Sequence, residues 1–355
     1  VFSRKHMTTF GLDVGSYAVR VVQLHRGEEG YRLAGAGVCQ LGGPECEEGV
    51  FGEAGVLEAI RHSCREAQVR GRHAVCGVSG TEVAIREFDF AHLPVEEVGQ
   101  AVYLEAAQVC PFELERSTVE YVLADSEGRF SGRGGVRGCE GTLTSSGVMV
   151  AAANEVIEAK RRLVEAAGYQ CVLMDAETLA LMNGFESLQT DPWSSSVALL
   201  DVGNRYTHLA IMREGELPFA RDLAHAGAEI MGRLAVLSGS TSESECGEVA
   251  GGVVEGARPE VLAEACEDLL GEVDNTLRYY TVQQRIRKVE RIYISGGMSL
   301  YPGFVDLLKS RLPGEVSLWN PLSAMSSVGE DSDSELVREQ GSAFAVATGL
   351  AMRTV

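Results

Sequence analysis

The sequence predicts an α/β protein built from two duplicated lobes, with a small subdomain inserted into the first. Three observations carry that prediction. The strand–turn–strand unit "LDVGSYAVRVV" at 12–22 recurs in the second half as "LDVGNRYTHLA" at 200–210. Strand-type and helix-type segments alternate along both halves, as a layered α/β architecture requires. A third unit, "YISGGMSLYPGF" at 293–304, reads as strand, double-glycine turn and helix start. A strand–turn–strand unit repeated at long period points to two lobes of one topology.

Taken in order, the opening hairpin is followed by a third strand over Tyr31–Cys39 and a helix over Val56–Ala67, where Val56, Ile60 and Cys64 share a face. Short strands are expected at Ala74–Val78 and Val83–Phe88. A helix over Val95–Val109 is closed by "CPF", because Pro111 biases Cys110 away from helical geometry. Val119–Ala124 is strand-like. The segment 126–147, rich in Gly, Ser and Arg, reads as a long mobile hairpin tip. Strand Val148–Ala153, helix Glu155–Ala167 with Gly168 as its stop, and strand Gln170–Met174 follow. "DAETLALMNGFE" at 175–186 is a short helix opening on two carboxylates, and "DPWSSS" at 191–196 is a crossing between lobes.

The second half starts with the buried-type strand Val197–Leu200 and its hairpin. A strand over Glu216–Ala224, a helix over Gly227–Leu237 and an unpatterned stretch over 238–256 come next. Glu260–Val289 is expected as one helix, the longest, with Leu262, Leu269, Val273, Leu277 and Tyr280 on its buried stripe. Val316–Trp319 is a strand, 329–335 an acidic loop, and Leu336–Met352 a last helix.

Composition narrows the function. With 355 residues and 45% apolar content the chain can bury a large core. No run approaches the ~18 apolar residues of a membrane-spanning helix. A net charge of −20 repels nucleic acid and anionic lipid. The nine cysteines never fall in C-x-x-C spacing, which argues for a reducing cytoplasm and against a disulfide framework or structural metal.

The repeated Asp-x-Gly suits a nucleotide. Gly15 and Gly203 let backbone N–H groups approach phosphate oxygens. Asp13 and Asp201 are fit to orient waters around Mg²⁺, which favours a few carboxylates plus water. Ser16 and Thr207 are candidate phosphate donors, and Gly296 and Gly297 would let backbone pass beside a purine or ribose. Each piece alone is also ordinary turn chemistry. Asp175 and Glu177, at a helix start between the lobes, are the tentative catalytic pair; the alternative for Asp175 is a plain N-cap. Phe88, Phe90, Leu93, Pro111 and Phe112 either line a groove for an extended partner peptide or form the small subdomain's own core.

The order D-x-G hairpin, carboxylate-opened helix, second D-x-G hairpin, then S-G-G-x-x-x-x-P-G resembles the actin-like ATPase superfamily. Within it the chain is most similar to the PilM family of type IV pilus assembly proteins, through "YLEAAQVCPFELERSTVEYVL" at 103–123, "AAGYQCVLMDAETLALMNGFE" at 166–186, "LLDVGNRYTHLAIMREGELPFARDL" at 199–223 and "NPL" at 320–322. The resemblance covers nearly the whole chain. It implies an actin-like fold of duplicated ribonuclease-H-like lobes: 1–83 with 147–190, then 196–335. It also implies a subdomain inserted over 84–146, and a C-terminal helix over 336–353 returning to the first lobe. It implies ATP and Mg²⁺ between the lobes, held by Asp13, Gly15, Ser16, Tyr17, Arg20, Asp201, Gly203, Asn204 and Thr207. On the adenosine side it implies Glu245, Gly296, Gly297 and Met298.

The implied role is a cytoplasmic, ATP-binding scaffold of the pilus inner-membrane platform, held to the membrane by a PilN-like bitopic protein whose N-terminal cytoplasmic tail it binds. Hydrolysis is expected to be slow or absent. The family pattern is broken at Tyr17, at Arg205 and Tyr206, at Arg20 in place of a lysine, and over 242–252, which holds no lysine. A tyrosine at a phosphate loop can donate to phosphate or fill its space. The competing readings are an adaptor that has lost its nucleotide, a GspL-like secretion component, a sugar-kinase-type phosphotransferase and an FtsA-like filament former. The absence of a span or amphipathic helix at the chain's end speaks against the GspL and FtsA readings.

Overall fold

The computed structural model describes residues 8–27, 30–41, 52–91, 93–124, 144–189, 196–213, 217–238, 257–286, 288–327 and 335–353. In the first lobe, β1 (Thr9–Val14), β2 (Ala18–Gly27) and β3 (Gly30–Gln40) form an antiparallel meander. Helix α1 (Glu53–Glu66) returns the chain to β4 (His73–Val78), parallel to β1. The chain then leaves this sheet for β5 (Val83–Ala91), α2 (Val95–Val109), β6 (Ser117–Leu123) and β7 (Thr144–Ala153), which make a three-stranded antiparallel sheet of order β5-β7-β6. Through α3 (Asn154–Ala166) it rejoins the first sheet at β8 (Gln170–Ala176), beside β4. The small sheet is therefore an insertion between two neighbouring strands of the first lobe.

Helix α4 (Glu177–Leu188) leads to the second lobe. There β9 (Val197–Val202), β10 (Thr207–Met212) and β11 (Phe219–Leu223) repeat the meander. After α5 (Gly227–Leu237), α6 (Pro259–Ala265) and α7 (Glu267–Gln283), strand β12 (Arg291–Ser295) runs parallel to β9. Helix α8 (Phe304–Arg311) and β13 (Glu315–Leu318) complete a sheet of order β11-β10-β9-β12-β13. The short β14 (Ser326–Ser327) pairs with β3, and α9 (Ala345–Ala351) lies on β1, β2 and β4 of the first lobe.

Strands β9 and β10 are buried along their whole length, the pattern of a sheet covered on both faces. One core lies between this sheet and α5 to α8, around Leu209, Leu269, Val273 and Phe304. A second lies under α1 and α3, around Phe10, Leu12 and Ile60. A third joins the lobes, with Leu181 and Phe185 of α4 meeting Leu199, Ala210, Ala220 and Trp319, and Ile85 and Val148 of the inserted sheet.

Four elements differ from the sequence expectation. The helix expected over 260–289 is two, bent at Cys266, whose ψ of 2° departs from helical geometry, and ended by Arg285 at φ 51°. The expected C-terminal helix opens as a π turn over Leu336–Gln340 and a 3₁₀ turn over Gly341–Phe344. There Asn320 donates through Nδ2 to the Val337 carbonyl at 2.7 Å, and such an insertion into the helical ladder breaks its regularity. The helix expected from Asp175 starts at Glu177, since Asp175 and Ala176 complete β8. Strand β7 begins at Thr144, so 144–147 belong to a strand, while 126–143 of the expected hairpin tip lie outside the described residues.

Candidate functional site

The two D-x-G hairpins fold alike. Gly15 N–H donates to the Ala18 carbonyl at 3.2 Å, and Gly203 N–H donates to the Tyr206 carbonyl at 3.1 Å. The tips face one another, with Asn204 Nδ2 donating to Ser16 Oγ at 3.0 Å. The second tip also organises α5: Gly227 and Ala228 N–H donate to the carbonyls of Gly203 and Asn204.

Beneath the tips lie buried carboxylates. Asp13 and Asp201 end equivalent strands. Arg20, opposite Asp13 in the β1–β2 register, places Nη1 3.9 Å from its carboxylate. Burial, with Glu177 nearby, pushes the Asp13 carboxyl up to about 6; Arg20 and Lys160 act against the shift without cancelling it. Burial also raises Asp201, although His208, the Ser295 hydroxyl at 2.8 Å and Arg20 pull the other way. The Nε of Arg20 is buried and has no hydrogen-bond partner among the described residues. The cleft thus holds two carboxylates short of positive charge and a cationic donor short of an acceptor. That donor set fits a magnesium–phosphate pair: Asp13 and Asp201 would hold the ion, which would supply the missing positive charge, and Arg20 would donate to a phosphate oxygen.

A second cluster sits at the root of the cleft. Glu177, first residue of α4, is buried, with Oε1 3.7 Å from Lys160 Nζ and Oε2 3.2 Å from His208 Nε2. On the other edge of the ring, His208 Nδ1 lies 2.7 Å from Asp222 Oδ1. Thr178 Oγ1 donates to the same oxygen at 2.6 Å, and Gly80 N–H donates to Asp222 Oδ2 at 2.8 Å. With a carboxylate at each nitrogen, the ring carries both protons. Burial alone would lower the His208 pKa, but Asp222 and Glu177 hold it well above the usual value. Burial alone would raise Glu177, yet Lys160, His208 and the Ser79 hydroxyl bring it down to about 2. Lys160 also donates to the Val14 carbonyl at 2.6 Å, tying this cluster to the first hairpin.

The structure brings Asp13, Ser16, Arg20, Glu177, Asp201 and Asn204 together and sends other expected residues elsewhere. Tyr17 is turned to β3, its hydroxyl accepting from Gln40 Nε2. Thr207 is fully buried and gives its hydroxyl to the His225 carbonyl at 2.7 Å. Asp175 neither caps a helix through its side chain nor joins Glu177: Oδ1 accepts from its neighbour Ala176 N–H, and Oδ2 pairs with Arg353 Nε at 3.0 Å. Gly296 and Gly297 follow β12, Gly297 beside the Arg20 guanidinium, and Met298 packs against Gly227. Glu245 lies outside the described residues.

Phe88, Phe90, Leu93 and Phe112 pack with Val98, Val102 and Met149 as the core of the inserted subdomain, and Pro111 is exposed. Sequence reasoning missed Lys160, His208 and Asp222. At the surface His225, Glu229 and Asp268 bring ligand-type atoms within 4.8 Å of one another, but His225 is already bonded to Glu229 and Asp268 to Arg233.

Two sheets of matching topology, each opening on a D-x-G hairpin, define an actin-like ATPase fold. The family described as type IV pilus assembly protein PilM matches residues 11–355, and the chain belongs to that family. Its fold is similar to a chain solved in a PilM–PilN type IV pilus biogenesis complex, at 24% identity, covering 98% of each chain with a TM-score of 0.80. More distant likeness, to the fold alone, extends to the ethanolamine utilization protein EutJ from Carboxydothermus hydrogenoformans (12% identity, 97% of this chain and 88% of that one, TM-score 0.52). It also extends to a diol dehydratase-reactivating factor in nucleotide-free form (12% identity, 96% and 98%, TM-score 0.51). Among the described residues no helix is long and apolar enough to cross a membrane.

Proposed function

We propose that this type IV pilus assembly protein is an ATP-binding scaffold, taking Mg-ATP in the cleft between its two hairpins. The observation that carries the reading is the charge deficit beneath the hairpin tips: Asp13 held up to about 6, Asp201 raised, and Arg20 Nε without an acceptor. Bound there, Mg²⁺ supplies charge neutralisation for the phosphates and for Asp13 and Asp201. Arg20 and the backbone of Gly15 and Gly203 orient the phosphates, and the Ser16–Asn204 contact between the tips opens to admit them. Gly296 and Gly297 border the nucleoside.

Hydrolysis is slow or absent on this reading. Glu177, the carboxylate best placed to take a proton from water, is held at about 2 by Lys160 and His208, far below the range in which a general base works well near neutral pH. A scaffold needs a partner, and the PilM–PilN complex to which this fold is similar supports a PilN-like one; on this reading it is a membrane protein whose N-terminal cytoplasmic tail docks at the inserted subdomain. That tether would keep the chain cytoplasmic and peripheral to the inner membrane.

Isothermal titration with ATP tests the reading, run with Mg²⁺, with EDTA, and on Asp201→Asn. Saturable heat that needs Mg²⁺ and is lost in Asp201→Asn supports it. The absence of heat at millimolar Mg-ATP leaves the adaptor without nucleotide as the surviving function.

A further inference from the structure

Besides the direct bond from the Ser79 hydroxyl to Glu177, two contacts run from the site to the β4–β5 turn at residues 79–82. The first passes through the balanced cluster, from Glu177 at the cleft root through the His208 ring to Asp222, whose second oxygen receives the Gly80 N–H. The second comes from the tip of the second hairpin. Tyr206 abuts Gly80, so close that a Cβ there would sit 2.6 Å from ring carbons. Gly80 also adopts φ +103°, a conformation other residues avoid. Its turn is therefore held by two second-lobe side chains, one reporting on Glu177 and one on the second D-x-G loop.

The turn leads directly into the inserted sheet, with Val83 N–H donating to the Gly80 carbonyl at 3.1 Å. Strand β5 has an interlobe side and a subdomain side. Ile85 packs with Leu181, Phe185 and Ala220 in the interlobe core, while Phe88 packs with Val98 and Met149 in the subdomain's own core. A displacement of the turn reaches both.

We propose that Glu177, His208 and Asp222, with Tyr206 alongside, form a relay that couples occupancy of the cleft to the β4–β5 turn and so to the packing of the inserted subdomain. His208 is a positioning residue in this scheme: its two N–H groups make Glu177 and Asp222 share one ring, so a ligand that draws Glu177 away weakens the hold on Gly80. The input end is the cleft of the proposed nucleotide site, and to that extent the inference rests on that reading. Contact alone does not establish coupling, so the test is a cycle.

Hydrogen exchange of the Gly80 amide and of 83–91 is followed in the ligand-free chain for wild type, Glu177→Gln, Asp222→Asn and the double variant. Because Glu177 also bonds the Ser79 hydroxyl within this turn, the cycle is run in a Ser79→Ala background where that direct route is gone; there the relay predicts that Glu177→Gln speeds Gly80 exchange by roughly threefold or more, and that the double variant is no faster than Asp222→Asn alone. Unchanged Gly80 exchange in Glu177→Gln, or effects that simply multiply, overturns it. If Asp222→Asn fails to fold, Glu177→Gln compared with Ser79→Ala alone still decides, and Tyr206→Ala serves as the second arm, with faster Gly80 exchange expected. Adding Mg-ATP to wild type separates the two ideas. Binding with altered exchange at Gly80 and 83–91 supports both. Binding with unaltered exchange overturns the relay and leaves the function standing. No binding removes the function, and the ligand-free cycle then decides the relay by itself.

Discussion

Two buried charge clusters lie side by side in this cleft, and they differ in balance. Under the hairpin tips, Asp13 and Asp201 face Arg20 at a distance, and both carboxyls are held above their usual range. At the root, Glu177 and Asp222 flank His208 with Lys160 close by, and Glu177 is held at about 2. The carboxylates of both sites are buried, so burial does not explain the difference; the number and closeness of opposite charges does. A satisfied cluster maintains a geometry. An unsatisfied one is stable only at a cost, and a ligand bringing charge of the missing sign relieves it.

The comparison breaks most visibly at the root. Asp222→Ala leaves the His208 imidazolium with one carboxylate and strips Gly80 N–H and Thr178 of their acceptor. Removing one partner of a buried ion pair typically costs roughly 3–5 kcal/mol, which chemical denaturation should read as a large fall in midpoint. Under the tips the sign reverses. Asp13→Asn removes a carboxylate that the ligand-free protein holds at about 6, and should stabilise it at pH 7.5 by on the order of 2 kcal/mol.

pH sharpens the same contrast. Asp13, with its folded pKa raised, contributes stability that is present below its unfolded value and lost as pH rises through about 6. Glu177, with its folded pKa depressed, contributes stability present above its unfolded value and lost as pH falls toward about 2. Asp13→Asn should therefore flatten the stability profile between pH 4 and 6.5, and Glu177→Gln the limb below about 4.5, both measured by denaturant unfolding. The smallest effect is expected at the tips. Ser16→Ala deletes one exposed hydrogen bond to Asn204 and should change ligand-free stability by no more than about 1 kcal/mol.

The duplicated lobes and both hairpins were legible in the sequence because a strand ending in Asp-x-Gly is a local pattern, and so is the double glycine after β12. Asp13 and Asp201 were singled out this way, Glu177 from the carboxylates opening its helix, and Arg20 only through the family resemblance. Lys160, His208 and Asp222 could not be found, since their roles come from partners distant in the chain. Their signal is one of misplacement. Lys160 shares a helix stripe with Ile157 and the fully buried Val164, and Asp222 shares a strand face with the buried Ala220. A charge on a buried stripe needs a partner, but the sequence does not say which. The same limit applied to Tyr17 and Thr207. Their positions in the loops suggested phosphate contacts, but not that the Tyr17 oxygen also accepts from Gln40 of β3 or that Thr207 donates to the His225 carbonyl. Local propensity also missed the π and 3₁₀ turns before α9, which depend on Asn320 arriving from another loop.

The most direct test of the charge-deficit account is a thermal melt at pH 7.5 of wild type and Asp13→Asn, each with and without Mg-ATP. A ligand at ~100 times its dissociation constant adds ~2.7 kcal/mol of apparent stability, a shift of a few degrees in a protein of this size. The account predicts that Asp13→Asn melts above wild type without ligand and gains little from Mg-ATP, while wild type rises on adding it. A variant that melts no higher than wild type, together with a wild type indifferent to Mg-ATP, would contradict it.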